Sequence, residues 1–136
     1  MNIALVGPAA ILAAVLALAG CAAGTGLGSA AGRLDNTARN FYDTVYSYRA
    51  PPHTTDDAAA LVEATRDFRR AVDSSRSRED LRPSFDRVAQ RYHRLREEVE
   101  NRAPPGSDAR HAFDRVTEAY LDVDRAMDVP TSAYRY

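Results

Sequence analysis

The sequence predicts an all-α protein, an antiparallel up-and-down bundle of four helices that follows an apolar leader and a flexible Gly-rich tether. Four stretches carry apolar residues at alternating spacings of three and four, which places each set on one side of a helix. No stretch shows sustained alternation of apolar and polar residues, so strands are not expected. Short connections between helices of similar length favour antiparallel neighbours.

Residues 1–20 are predicted to be a signal peptide. No charged side chain precedes Arg33, and the apolar run from Ile3 to Ala19 is long enough for a signal-peptide core. The run is shorter than the roughly 20 apolar residues that span a bilayer comfortably. The segment before it, Met1-Asn2, contains no Lys or Arg, which departs from the usual signal pattern. An uncleaved membrane anchor is the alternative interpretation.

Leu18-Ala19-Gly20-Cys21 closes the apolar run and resembles the lipobox of bacterial lipoproteins. The resemblance implies cleavage between Gly20 and Cys21, with a diacylglycerol on the thiol of Cys21. The protein is therefore expected to be anchored in the cell envelope by lipid. In lipoproteins of bacteria with two membranes, Asp after the cysteine marks retention in the inner membrane. Here Ala22 follows, which implies the outer membrane if the organism has one.

Three segments are predicted after the leader. Residues 21–32 comprise the lipidated cysteine and a tether, because a stretch so rich in Gly and other small residues behaves as a flexible coil. Residues 33–129 form the bundle, and residues 130–136 form a C-terminal tail. This part of the chain resembles small, Arg-rich helical exported proteins of bacteria whose function is unknown. That resemblance implies no particular activity.

The four predicted helices each carry one apolar stripe that faces a shared core. Burial of these side chains provides a large enough hydrophobic term for the domain to fold without a metal or other cofactor. The stripes consist of Leu34, Ala38, Phe41, Val45 and Tyr48, then Ala58, Leu61, Thr65, Phe68 and Val72, then Leu81, Phe85, Val88, Tyr92, Leu95 and Val99, and finally Ala109, Phe113, Val116, Tyr120, Val123 and Met127.

Proline, glycine and capping residues predict the helix boundaries. Pro51-Pro52 ends the first helix, because neither ring can donate a hydrogen bond. Thr54 and Thr55 are predicted to cap the second helix. Pro104-Pro105-Gly106 separates the third helix from the fourth, which Ser107-Asp108 can cap.

The third helix contains a proline and part of a repeated pattern. Either this helix begins at Pro83, or it is kinked near Glu79. Phe85-Asp86-Arg87-Val88 with a following Tyr recurs as Phe113-Asp114-Arg115-Val116 with a following Tyr. Duplication of a helical unit and coincidence on a shared core pattern both explain this repeat.

The charge pattern argues against nucleic-acid binding. The chain has 18 basic and 19 acidic side chains, which are interleaved and leave a net charge of −1. Nucleic-acid binding needs a basic face, and no such face is expected here. Every basic side chain other than histidine is Arg, which fits genome composition better than a set of anion clamps.

No catalytic constellation is recognisable, and the chain is not expected to be an enzyme. It has no G-x-S-x-G elbow, and lipidation consumes the single cysteine. His93 and His111 are predicted to lie about one turn apart, at the level of Glu97, so a weak divalent-metal site is conceivable. A solvated charged surface is the simpler interpretation, and neither a metal nor a cofactor is expected.

Tyr42 and Tyr46 flank the apolar stripe of the first helix and are candidates for contact with a protein partner. A wider buried stripe is the alternative. Together these observations predict a non-catalytic envelope protein that serves as a protein-interaction or structural module. The alternative function is a small-ligand or metal-binding envelope sensor.

Overall fold

The computed structural model describes residues 22–75 and 77–128, and these residues form a bundle of helices without a strand. The predicted all-α fold class is confirmed. The predicted signal peptide (1–20, including Gly20), Cys21 and the predicted tail (130–136) lie outside the described residues. The helices are α1 (Ala22–Ser47), α2 (Pro52–Ser74), α3 (Arg78–Arg102) and α4 (Asp108–Asp128).

Ion pairs between helices show their antiparallel arrangement. Arg69, late in α2, lies with its Nη1 atom 3.2 Å from Oδ2 of Asp35, which is near the middle of α1. Arg33 of α1 lies 2.9 Å from Asp122, which is near the end of α4. α1 therefore packs between α2 and α4, and α2 also packs on α3. α3 and α4 pack least extensively on each other.

The core consists of the predicted apolar stripes. Every predicted stripe residue is buried except Tyr48, Val72 and Ala109, which each stand at one end of their stripe. Val72 and Ala109 are half-buried, whereas Tyr48 lies beyond the end of α1 and is 64% exposed. The helical period thus predicts the middle of each stripe correctly and fails where the helix ends.

Aromatic side chains from α3 and α4 stack in the core. The ring of Phe85 lies 5.7 Å from that of Tyr120, and the ring of Phe113 lies 5.6 Å from that of Tyr92. The two tyrosine rings stack on each other at 4.0 Å. Because the helices are antiparallel, the repeated Phe and Tyr positions meet reciprocally.

The predicted flexible tether is helical in the structure. α1 begins at Ala22, so residues 22–32 belong to the bundle's first helix. Ala30 and Ala31 are buried in the core, and Leu27 packs against it. Each glycine in a helix costs about 1 kcal/mol relative to alanine, but alanine is the best helix former. Burial of the small side chains against the bundle stabilises the helix in spite of its glycines.

α2 begins earlier than the predicted threonine cap. Pro51 is the N-cap residue, and Pro52 occupies the first helical position, where the missing N–H of proline is not needed. Thr54 lies inside the first turn and is buried, and its N–H donates to the carbonyl of Pro51 (3.0 Å). The prediction that Thr54 and Thr55 cap this helix was therefore wrong.

α3 begins at Arg78 and continues through Pro83. The Ser77 hydroxyl accepts a hydrogen bond from the N–H of Asp80 (3.2 Å), which caps the helix. A start at Pro83 is thereby ruled out. The acidic first turn, Glu79 and Asp80, complements the positive end of the helix dipole.

Candidate functional site

An apolar pocket of about 610 Å³ opens at one end of the bundle. At this end α1 and α3 finish and α2 and α4 begin, so it lies opposite Ala22. Its apolar lining comes from α1, α3 and α4 and from the two connections at this end, between α1 and α2 and between α3 and α4. The apolar lining residues are Phe41, Val45, Ala50, Pro51, Val99, Ala103, Pro104 and Ala109.

The pocket forms because small residues stand where the helices end. Phe41 and Val99 are buried in the core, whereas Ala50, Ala103 and Ala109 are half-buried. Protein interiors are normally packed as densely as organic crystals. Methyl groups at these positions are too short to fill the space between the helix ends, so an apolar space remains.

The connection between α1 and α2 is held by a Schellman motif. The N–H of Arg49 donates to the carbonyl of Tyr46 (3.1 Å), and the N–H of Ala50 donates to the carbonyl of Val45 (3.0 Å). Arg49 has a positive φ of 51°, a conformation that favours glycine. This turn places Ala50 and Pro51 at the edge of the pocket.

A type II turn forms the connection between α3 and α4. The N–H of Ser107 donates to the carbonyl of Pro104 (3.1 Å), and Gly106 has the positive φ of 77° that such a turn requires. The Ser107 hydroxyl then accepts from the N–H of Arg110 (3.3 Å) at the start of α4. The predicted Ser107 cap is thus observed. Gly106 and Ser107 both line the pocket.

Glu98 of α3 is the central polar group of the pocket. Its side chain is only 12% exposed, and its Oε1 atom contacts two groups in the first turn of α2. Thr54 donates its hydroxyl to Oε1 at 2.5 Å. Nε2 of His53 lies 2.7 Å from the same oxygen. These contacts join the last part of α3 to the start of α2.

His53 stands between a carboxylate and a guanidinium. Its Nε2 atom is 2.7 Å from Oε1 of Glu98 and 2.7 Å from Nη1 of Arg102. Nε2 donates when it carries a proton and accepts when it does not, so it cannot hydrogen-bond both partners at once. The position of one proton therefore decides whether His53 binds Glu98 or Arg102.

Tyr48 and Asp108 form a second polar contact at the pocket. The Tyr48 hydroxyl donates to Oδ2 of Asp108, and both residues line the pocket. This hydrogen bond, together with the negative charge of Asp108, raises the pKa of the Tyr48 phenol above its ordinary value. The contact ties the connection after α1 to the first residue of α4.

The composition of the pocket is that of a small-molecule binding site. Such sites typically have volumes of about 300–1,000 Å³, mostly apolar walls and a few fixed polar groups that orient the ligand. Here the walls are apolar, and Glu98, Thr54, Arg102, Asp108 and Tyr48 supply the polar groups. The arrangement can therefore bind an apolar molecule and orient a polar group at one end of it.

The structure does not bring the predicted metal candidates together. His93 and Glu97 line one shallow groove on α3, whereas His111 lines another groove between α1 and α4. His93 packs instead on the edges of aromatic rings, 5.2 Å from Tyr92. Within residues 22–75 and 77–128, no group of three His, Cys, Asp or Glu side chains is arranged to hold a metal ion.

The two candidate tyrosines differ in exposure. Tyr42 is half-buried and packs against the core, as the wider-stripe interpretation predicts. Tyr46 is 67% exposed and stacks on Tyr42, with ring centroids 5.9 Å apart. Tyr46 and the exposed Tyr48 therefore present aromatic surface near the pocket end of α1.

The pocket itself was not predicted from the sequence. One signal for it exists, because Pro51-Pro52 and Pro104-Pro105 fall at the same end of an antiparallel four-helix bundle. An alanine precedes each pair, so few long side chains are available to fill that end. The pairing of Thr54 with Glu98 depends on the register of α2 against α3, which no local pattern specifies.

Neither a membrane-spanning helix among the described residues nor a known relative identifies the role of the pocket. Among residues 22–75 and 77–128, no helix has both the length and the apolarity needed to cross a bilayer. No protein-family model, curated protein or solved structure matches this chain.

Proposed function

We propose that this chain is a lipid-anchored envelope protein that binds a small apolar molecule in the pocket at the end of its bundle. The pocket is the observation that carries the proposal, because its volume of about 610 Å³ lies within the range of small-ligand sites. Binding, rather than catalysis, is the proposed role. Of the two functions that the sequence analysis leaves open, the pocket favours the small-ligand alternative.

The position of the pocket suits a protein held by its N-terminal end. The proposed anchor, Cys21, immediately precedes Ala22, the first residue of α1. A helix rises about 1.5 Å per residue, so the path along α1 from Ala22 to Val45 is roughly 35 Å long. The ligand would then be received at the end of the domain away from the lipid.

A protein partner is the second candidate, and the exposed tyrosines favour it. Tyr46 and Tyr48 are among the large hydrophobic side chains that are most exposed in the described residues. Tyrosine is enriched at the energetically important positions of protein interfaces, because its ring is large and its hydroxyl is polar. A partner that covers these rings would also cover the nearby pocket mouth, which Tyr48 lines.

The test is to fill the pocket and to measure binding of a neutral apolar dye, Nile red, to the full chain. Ala103→Phe places a ring in the pocket lining and is expected to lower dye affinity at least about tenfold. Ala59→Phe is the matched control, because Ala59 is exposed on α2 and does not line the pocket. Circular dichroism and thermal melting verify that both variants fold.

Two outcomes would contradict the proposal. The first is dye binding to Ala103→Phe with the affinity of the unmodified chain. The second is an equal loss in the Ala59→Phe control, which would mean that the dye reports general surface adsorption. If either of these dye results is obtained and a protein partner is recovered by crosslinking through Tyr46, the protein-partner candidate replaces the ligand proposal.

A further inference from the structure

We propose that the ligand of this pocket is a cationic amphiphile, an apolar molecule with one amine head group that pairs with Glu98. This inference rests on the proposed function and specifies the chemical class of its ligand. Its apolar body would lie against Phe41, Val45 and Val99, and its head group would lie at the carboxylate.

The first argument is the state of the Glu98 carboxylate. The side chain is 12% exposed, so it has lost most of its contact with water. Its Oε1 atom contacts both Thr54 and His53, and Oε2 takes part in neither contact. A carboxylate that is largely removed from water is costly unless an opposite charge compensates it.

The second argument is that no arginine forms a direct ion pair with this carboxylate in the described part of the chain. Among the described ion pairs, Glu98 is joined only to His53, which is charged only when it is protonated. Arg102, the basic side chain of the pocket lining, directs Nη1 onto Nε2 of His53 at 2.7 Å. Two other carboxylates of low exposure do contact arginine: Asp35 contacts Arg39 and Arg69, and Asp57, whose side chain is 13% exposed, lies 2.9 Å from Arg94. Glu98 differs from both in that, among the described ion pairs, no arginine contacts it directly; Arg102 is joined to it only through His53.

The third argument is the charge of the whole pocket lining. Glu98 and Asp108 are acidic, and Arg102 is the one basic residue of the lining, so acidic groups are in excess. Helix dipoles do not reverse this balance, since the N-terminus of α2 and the C-terminus of α3 both lie beside Glu98 and oppose each other. An anionic head group would be repelled by the two carboxylates, and a cationic one would be attracted.

The experiment compares three amphiphiles that share one alkyl chain and differ only in the head group. Dodecylamine, dodecanol and dodecanoate compete with Nile red for the full chain, below the concentrations at which they form micelles. We expect dodecylamine to bind about tenfold more tightly than dodecanol, because one charge-assisted hydrogen bond contributes about that factor. Dodecanoate is expected to bind more weakly than dodecanol.

Variants then assign this preference to Glu98. Glu98→Gln is expected to bring dodecylamine to the affinity of dodecanol while the affinity of dodecanol stays the same. Glu97→Gln is the matched control, because Glu97 is exposed on the same helix and does not line the pocket. Arg102→Gln is expected to leave the preference for the amine intact or to strengthen it. Should Glu98→Gln fail to fold, two measurements still test the preference for a cationic head group: the comparison of the three amphiphiles in the unmodified chain, and the same comparison in Arg102→Gln.

The outcomes separate this inference from the proposed function. If neither Nile red nor any of the three amphiphiles binds the chain, the pocket is refuted as a ligand site. Equal affinities for dodecylamine and dodecanol would leave the pocket as a binding site and overturn the cationic head group. Tightest binding of dodecanoate would also overturn it, and would assign the head-group contact to Arg102. A preference for the amine that survives in Glu98→Gln would refute the role of that carboxylate.

Discussion

Asp35 is a carboxylate with no solvent exposure, and it lies near the middle of α1, before the pocket residues Phe41 and Val45. Its Oδ2 atom contacts Arg39 at 2.7 Å and Arg69 at 3.2 Å, so it joins α1 to α2. Its Oδ1 atom is buried and has no hydrogen-bond partner in the described part of the chain. Because one oxygen is unsatisfied, the two arginines must compensate most of the cost of burying this charge.

Removal of both arginines is therefore expected to lower the free energy of unfolding more than neutralisation of the Asp35 carboxylate does. Arg39→Ala with Arg69→Ala leaves an uncompensated buried carboxylate and should lower the free energy of unfolding by about 3 kcal/mol. When Asp35→Asn is added to the double variant, part of the lost stability should be recovered, because the buried charge is then absent. Urea denaturation measures both effects, and Arg70→Ala, which removes an exposed pair with Asp67, is the control. A double variant as stable as the unmodified chain would contradict this account.

Arg49 is a residue whose backbone is better suited to glycine. Its φ of 51° is left-handed, and it occupies the position of the Schellman motif where glycine is most common. Arg49→Gly should raise the free energy of unfolding by about 0.5–1 kcal/mol, since glycine reaches this conformation without a steric penalty. Arg49→Ala keeps the penalty and should change stability little. An increase in stability for Ala that matches the increase for Gly would show that charge, not conformation, was responsible.

At the scale of the helices, the Tyr48–Asp108 hydrogen bond connects the end of α1 to the start of α4. It raises the pKa of the Tyr48 phenol in the folded protein above the ordinary value of about 10. When folding raises the pKa of a group, the group stabilises the folded state fully at pH values below its pKa in the unfolded chain. The stabilisation is then lost as the pH rises through the folded pKa.

Tyr48→Phe should therefore reduce stability at neutral pH, and the difference from the unmodified chain should disappear as the pH rises well above 10. Denaturation at a series of pH values measures this difference, and phenolate absorbance reports the titration directly. Tyr46→Phe is the matched control, because it removes the same hydroxyl from an equally exposed ring and leaves the Tyr48–Asp108 hydrogen bond in place. A Tyr48→Phe difference that persists unchanged above the titration would mean that ring packing, not the hydrogen bond, is involved.

The helices also show what a sequence pattern can predict and where it fails. In α3 all six predicted stripe residues are buried, because the helical period alone decides which side faces the core. The errors lie at helix ends, at Tyr48, Thr54 and Ala22. Ends depend on capping and propensity terms of about 1 kcal/mol, which tertiary packing easily exceeds. The burial of Ala30 and Ala31, for example, outweighs the glycines around them.

The reciprocal aromatic stacks give a physical basis for part of the repeated pattern in α3 and α4. Phe85 stacks on Tyr120, and Phe113 packs on Tyr92, so the same spacing on antiparallel helices produces two equivalent contacts. The repeated Asp-Arg pairs are exposed, and the structure gives no common role for them. Core geometry thus explains the apolar members of the repeat, whereas duplication is not needed for them.

At the scale of the whole molecule, the two ends of the bundle differ in how they are filled. Asp35 with its arginines lies near the middle of α1, and the buried Ala30 and Ala31 lie towards its N-terminal end. The apolar pocket lies at the other end, where both Pro-Pro connections meet. Apart from the placement of the two Pro-Pro pairs, no sequence pattern indicates the pocket, because its size depends on how four helix ends are spaced. Its polar group, Glu98, is placed by contacts between α2 and α3 that are distant along the chain.

The proposed anchor predicts how the whole molecule partitions between membrane and solution. If Cys21 carries the proposed diacylglycerol, membrane association depends on that thiol. Cys21→Ser should therefore move the protein from the membrane fraction of its native host to the soluble fraction. A single acyl chain binds membranes only marginally, whereas the diacylglycerol of a lipoprotein provides two chains and stable anchoring.

Intact-mass measurement on the membrane fraction provides the direct readout. The expected species has lost residues 1–20 and carries a diacylglycerol on Cys21, whereas the Cys21→Ser protein carries none. Ala22→Ser is the matched control, since it changes a neighbouring small residue and leaves the thiol in place. A full-length polypeptide without lipid in the soluble fraction would exclude the anchor. Because the bundle end that holds the pocket does not depend on Cys21, ligand binding by the Cys21→Ser protein should persist, which separates the two proposals.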